Sequence, residues 1–150
     1  MKFLMVCLGN ICRSPLAEGI LKAKAVAGHL EWVIDSAGTS AYHAGELPDR
    51  RSIAIAESYG IDITDQRSRP ITPKDLDDFD VIYVMDSSNY NNVMELCENA
   101  EQQSKVQLIM NMAEPGRNIA VPDPYWEDDG FRNVYLMLDK ACTAILAEYQ

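Results

Sequence analysis

Histidine is nearly absent from this chain. Only His29 and His43 occur among its 150 residues, so chemistry built on a histidine base or a histidine-rich metal centre has little to draw on. His29 reads as a surface residue at a helix end, and neither histidine stands in a recognisable catalytic context. Cysteine is sparse too: Cys7, Cys12, Cys97 and Cys142 form no C-x-x-C pair and no zinc spacing. No apolar run is long enough to cross a membrane. The segment Leu4-Met5-Val6-Cys7 superficially matches a lipoprotein cleavage site, but the apolar stretch before it is too short and Val6 is not small. Met1 is therefore expected to be the native start of a protein that folds in the cytoplasm, where its cysteines stay thiols. Basic residues are few, 13 against 23 acidic ones, and the net charge of −10 argues against nucleic acid as a partner. An anionic ligand would have to be held by local geometry against that field.

The chain does have enough apolar residues, 47% of the total, to bury a core without metal or disulfide support. Its length fits one domain over residues 1–150, and no repeat, linker or low-complexity segment interrupts it. Lys2 to Val6 reads as a buried strand, after which Ser14-Pro15 opens a helix, with Ser14 as N-cap, running to about Ala27. Trp32 to Asp35 reads as a second strand, followed by a loop from Ser36 to His43. Pro48-Asp49 starts a helix with Ile53, Ala54, Ala56 and Tyr59 as its inner face and Gly60 as its stop. Thr72-Pro73 opens a short helix. Asp80 to Met85 is a strand, Asp86-Ser87 caps a helix from Asn89 to Cys97, and Val106 to Met110 is a fourth strand. A loop holding Val121-Pro-Asp-Pro-Tyr-Trp126 precedes a last helix from about Gly130 to Ala147. Strands alternating with helices predict parallel β-α-β units in a three-layer α/β sandwich. Ligands in such sheets collect at the carboxyl ends of the strands, beside helix N-termini.

Cys7-Leu-Gly-Asn-Ile-Cys-Arg-Ser14 occupies that position. A loop curling from a strand into a helix turns several backbone N–H groups inward, and with the helix dipole these make an anion site. Gly9 and Asn10 are the residues best suited to positive φ. Arg13 adds a planar fork that can hold two oxygens of a phosphate. Cys7 lies at the mouth of the cradle, where the same donors favour its thiolate and the Ser14 hydroxyl can add one more hydrogen bond. A thiolate facing a bound phosphate is a nucleophile for phosphoryl transfer through a cysteinyl-phosphate. The leaving oxygen needs a proton, and Asp123, held between two prolines in a stiff loop with aromatics after it, is the candidate acid. Cys12 is either packing or a reversible disulfide partner that shields Cys7 from over-oxidation. Cys97 and Cys142 read as core, and the acidic run Asp75 to Asp80 as a solvated helix end.

These residues resemble the low-molecular-weight protein tyrosine phosphatases. The nine-residue run Cys7 to Pro15 and the late Asp123-Pro-Tyr125 carry the likeness, together with Asp35-Ser-Ala-Gly-Thr39, Gly60-Ile-Asp62, Arg69 and Met85-Asp-Ser-Ser-Asn89. The resemblance implies a four-stranded parallel sheet in the order 2-1-3-4 with the phosphate loop between the first strand and first helix. It implies hydrolysis of phosphotyrosine in proteins with no metal and no cofactor, by a monomer or weak homodimer. Cys7 would be nucleophile, Arg13 phosphate clamp and Asp123 general acid and base. The loop would comprise Leu8, Gly9, Asn10, Ile11, Cys12, Arg13 and Ser14, with Asn10 and Ser14 holding it, Asp86 bracing Arg13, and Cys12 as redox partner. Ile11, Tyr42, Tyr125 and Trp126 would surround the cleft. A tyrosine kinase is one candidate phosphoprotein partner, and neither nucleic acid nor membrane is expected. Two positions depart from the pattern. Asp65 stands where many members carry a histidine supporting the loop asparagine, and either accepts a hydrogen bond in its place or leaves the loop braced differently. Trp126 is bulkier than the residue often found after Asp-Pro-Tyr.

Three other functions compete. A thiol-coupled arsenate reductase uses two further cysteines close together, whereas Cys97 stands alone. A protein arginine phosphatase carries threonine where Ile11 offers an apolar edge suited to a phenyl ring. A non-catalytic phosphate-binding module would not need Cys7, Arg13 and Asp123 together.

Overall fold

Four apolar segments become the strands β1 (Lys2–Cys7), β2 (Val33–Gly38), β3 (Val81–Val84) and β4 (Val106–Leu108) of a parallel sheet ordered β2-β1-β3-β4. In this computed structural model, which describes residues 1–150, β1 is buried from Phe3 onward and β3 along its whole length. Continuous burial is what a parallel sheet covered on both faces demands. The strand period of two then divides the residues. Phe3, Met5 and Cys7 of β1, with Val81 and Tyr83 of β3, face one core. Leu4 and Val6, with Ile82 and Val84, face the other. The helices α1 (Arg13–Ala27), α2 (Arg50–Ser58) and α7 (Gly130–Tyr149) cover the first face. The helices α3 (Pro73–Asp78) and α4 (Ser87–Leu96) cover the second. The expected three layers and strand order are therefore present.

Several local expectations change. The N-cap of α1 is Cys12, and the Ser14 side chain does not cap it; the hydroxyl is taken up by the loop instead. On α2 the buried residues are Ser52 and Ala56, while Ala54 and Tyr59 of the expected inner face are exposed. Tyr59 stacks on Tyr135 at 4.1 Å between ring centroids. β4 ends at Leu108 because the chain is already helical at Ile109, where the four-residue helix α6 (Met110–Ala113) begins. A second short helix, α5 (Ala100–Ser104), has an Asn99 side-chain cap. Cys142 is fully buried, and burial pushes its thiol up to about 12, but Cys97 is only partly buried at the end of α4.

Asp75 departs furthest from the solvated helix end the acidic run suggested. It is 7% exposed, accepts hydrogen bonds from the Thr72 N–H and hydroxyl, and pairs with Arg69 at 2.9 Å. Burial alone would push its carboxyl up, yet the bonds from Arg69 and Thr72 outweigh that and hold it below its ordinary 3.8. Arg69 also reaches Asp35 of β2 at 3.0 Å. A depressed carboxyl stabilises the fold above its unfolded value and loses that contribution as pH falls through its folded value. Arg69→Gln should therefore cost about 1 kcal/mol at neutral pH after allowance for solvent screening. The difference from wild type should shrink as pH falls below 3.8. Urea midpoints measured between pH 7 and about 2.5 check both halves.

Candidate active site

Between β1 and α1 the backbone is turned so that its carbonyls face outward. Cys7 O accepts from Thr39 N, Leu8 O from Ser40 N, and Ile11 O from Asp49 N at 2.7 Å. Gly9 O accepts from the Ser68 hydroxyl and Cys12 O from that of Ser52. In a trans peptide the N–H lies opposite the C=O, so anchoring these oxygens outside turns the N–H groups of Leu8, Gly9, Asn10, Cys12 and Arg13 to the inside. The first turn of α1 follows directly, and its unpaired N–H groups add to the same concave, positive surface. Asn10 has φ of 55°, as expected. Gly9 does not need positive φ; a side chain there would meet the His43 ring at 3.0 Å. Gly38, where β2 passes beside the loop, is tighter still. A Cβ would lie 2.8 Å from Leu8 O and 3.0 Å from Ser40 O, both backbone atoms that cannot swing aside. Gly38→Ala should destabilise by about 1–3 kcal/mol and weaken inorganic phosphate binding as well, read from denaturation and titration of the same variant.

A buried chain of hydrogen bonds runs from this loop into the core. The Ser36 hydroxyl donates to Glu18 Oε1 at 2.6 Å. Its oxygen accepts from Asn10 Nδ2 at 3.0 Å, and the same amide donates to Ser14 Oγ at 2.7 Å. Ser14 Oγ lies 3.1 Å from Cys7 Sγ. With Asn10 feeding its oxygen, the Ser14 hydrogen is free to point at the sulfur. Asn10 Oδ1 accepts from Arg69 N at 3.0 Å, so the side chain that fixes the loop has every polar atom used. Glu18 is 3% exposed, and burial pushes its carboxyl up against the opposing bonds from Lys22 and Ser36. Asp65 plays no part: it is exposed, and Ser36 and the Arg69 N–H support the asparagine instead. Gln66, the next residue, is the one that turns inward, donating to Pro15 O at 3.0 Å.

Arg13 is 2% exposed. Its Nη1 donates to Asp86 Oδ2 at 2.7 Å and to Val121 O at 2.9 Å, so Asp86 braces it as the resemblance implied. Its Nη2 lies 3.9 Å from Asp123 Oδ2. Asp123 in turn accepts from Tyr125 N at 3.0 Å. Cys7, Arg13 and Asp123, which stand 116 positions apart at their extremes, thus meet in a cavity of about 480 Å³. Gly9, Ile11 and Cys12 complete its base, and Leu8, Tyr42, Tyr125 and Trp126 stand at its walls. Tyr42 and Trp126 are 84% and 83% exposed, so the rim presents two nearly free aromatic faces. Cys12 is buried beside Asp49 and Cys7, and burial followed by those charges pushes its thiol well up.

Three contributors were not legible in the sequence. Ser40 and His43 line the cavity; His43 lies edge-on to Tyr42 at 4.8 Å and bonds Glu46 at 2.8 Å. The position of the Tyr42-His43 pair just past β2, next to β1 in the sheet, was the available signal. Arg51, in the first turn of α2, ties the neighbouring Asp49 to Tyr125 O and Asp128 in the loop after Asp123, and these last two partners are too far along the chain to read.

Comparison with known proteins agrees with this arrangement. Residues 2–150 match the family model of the low molecular weight phosphotyrosine protein phosphatases. A low molecular weight phosphotyrosine protein phosphatase of Schizosaccharomyces pombe is 40% identical over 139 residues, covering 90% of this chain and 88% of its own. The Homo sapiens protein of that name is 34% identical over 147 residues, covering 95% and 92%. A crystal structure of a protein tyrosine phosphatase from Entamoeba histolytica superposes with a TM-score of 0.92 at 36% identity, covering 99% of this chain and 96% of the other. The fold, with its sheet order β2-β1-β3-β4, is that of these protein tyrosine phosphatases. The chain belongs to the low molecular weight phosphotyrosine protein phosphatase family.

Proposed function

We propose that this protein hydrolyses phosphotyrosine in proteins through a cysteinyl-phosphate. The observation that carries the reading is the meeting of Cys7, Arg13 and Asp123 at the base of one aromatic-walled cavity. The phosphate dianion sits on the inward N–H groups and the Arg13 fork, and Cys7 sulfur attacks phosphorus in line with the ester oxygen. As the P–O bond breaks, Asp123 gives its proton to the tyrosyl oxygen. Water then attacks the S–P bond, Asp123 takes the water proton, and inorganic phosphate leaves with the thiolate restored. The Ser14 hydroxyl, aimed at the sulfur by Asn10, stabilises it whenever it carries the charge. Ile11, 8% exposed, gives the phenyl ring an apolar edge and favours tyrosine over the polar guanidino group of phosphoarginine.

The phosphoprotein substrate, a tyrosine kinase among the candidates, meets the protein as a monomer or weak homodimer. Four free thiols suit a reducing compartment such as the cytoplasm, where Cys12 can form a reversible disulfide with Cys7 under oxidative stress. Peptides bearing phosphotyrosine, phosphoserine or phosphoarginine, assayed without added metal, test the reading. Turnover of the phosphotyrosine peptide alone, or by at least about tenfold over the others, is the expected result. Preference for phosphoarginine would overturn it.

A further inference from the structure

The guanidinium of Arg51 makes four side-chain hydrogen bonds, yet nothing it touches belongs to the cradle. Its Nε and Nη2 grip both oxygens of Asp49 at 3.0 Å. The same Nη2 donates to Tyr125 O at 2.9 Å, and Nη1 donates to Asp128 Oδ1 at 2.7 Å. The guanidinium carbon lies 4.6 Å from the Phe131 ring centroid and 5.6 Å from that of Tyr125. Asp49 is itself fixed, as N-cap of α2 and as donor of its N–H to Ile11 O at 2.7 Å. One rigid fork therefore spans from the phosphate loop, through Asp49, to the segment 125–128. On that segment Tyr125 N–H holds Asp123 Oδ1.

We propose that Arg51 is a positioning residue, which sets the carboxyl of Asp123 at the right height above Cys7 for proton transfer to the leaving oxygen. The inference rests on the mechanism proposed above. The loop after Asp123 has prolines on both sides of the acid and few core contacts, so a fork with two fixed ends is what converts a stiff dipeptide into a located one. Lysine cannot replace it, since a point charge can face Asp49 or Tyr125 O but not both in plane. The one cradle anchor near this linkage, Asp49 N–H to Ile11 O, is a backbone bond at the N-cap of α2, where the Asp49 side chain also accepts from Arg51 N. The other cradle carbonyls and Arg13 are anchored elsewhere, so phosphate binding does not depend on the Arg51 guanidinium.

The test is a double-mutant cycle of Arg51→Ala and Asp123→Asn, read as kcat/KM on phenyl phosphate and on aryl phosphates with better leaving groups. Arg51→Ala should lower kcat/KM for phenyl phosphate about tenfold, and less for good leaving groups. It should leave the inhibition constant of inorganic phosphate within about twofold. In the Asp123→Asn background the same substitution should change kcat/KM less than about twofold. Arg51→Lys, which keeps the stem over Phe131 and the charge, should show the same leaving-group pattern and covers the case in which the alanine variant fails to fold. An equal factor in both backgrounds, a loss uniform across leaving groups, or phosphate inhibition that weakens in step would overturn the role of Arg51. A wild type inactive on every aryl phosphate would instead overturn the mechanism beneath it.

Discussion

Cys7→Ser should remove turnover by about 10⁴-fold or more while inorganic phosphate and vanadate still bind. The asymmetry follows from how the site is built. The Cys7 sulfur is the nucleophile that faces the anion cradle, and the other thiol lining the cavity, Cys12, is held neutral by burial, so losing Cys7 closes the route through a phosphoenzyme. The anion grip is made by other groups: backbone N–H groups fixed by their outward-tied carbonyls, and Arg13 fixed by Asp86 and Val121 O. Serine is close to cysteine in size and can keep a hydrogen bond to Ser14. Isothermal titration with phosphate and a burst assay on an aryl phosphate separate the two properties. Retained turnover within a factor of ten of wild type would remove Cys7 from the nucleophile's place.

Asp123→Asn should slow kcat/KM by about 10²–10³-fold for phosphotyrosine, within the range general-acid catalysis supplies, and by far less for aryl phosphates whose phenolate leaves unaided. Asparagine keeps the size, and its amide oxygen can still accept from Tyr125 N–H, so loop shape is retained and only the proton is lost. The carboxyl lies near Arg13, which places it beside any oxygen of a phosphate the guanidinium holds. A plot of log kcat/KM against leaving-group pKa should steepen in the variant. Parallel lines would assign the carboxyl a binding role.

What could be read from the sequence was what is local in it. The run Cys7 to Pro15 states its own strand, loop and helix start, and Asp123 is marked by the prolines beside it. The apolar runs of β1 and β3 are likewise self-announcing, because both faces of a parallel sheet are covered. What the sequence hides is the hydrogen bonding that the shape of a turn, or a distant segment, supplies. Ser14 reads both as a helix cap and as a donor to Cys7, and only the second role is present, because Asn10 across the turn takes up its oxygen. Asp75 reads as solvated because Arg69, the cation that pairs with it, lies in a loop with no periodicity, although Thr72 three residues before it is legible as the start of α3. Arg51 and Asp128 are separated by 77 positions, and Asn10 and Ser36 by 26, with nothing in either segment naming the other. His43 stands in no recognisable catalytic context in the sequence, and it is the fold that brings it beside the Cys7 strand end.

The alternation of β1 carries one more consequence. Cys7 pairs with Gly38 at the last rung of the β1–β2 ladder and faces the same side as Phe3 and Met5. A one-residue slip of that strand would aim the sulfur toward Leu76 and Val93 and deliver a leucine to the mouth of the cavity. The placement of a single reactive atom is thus inherited from the parity of four hydrophobic residues upstream, Phe3 to Val6. A deletion among them would silence the protein without touching any polar group.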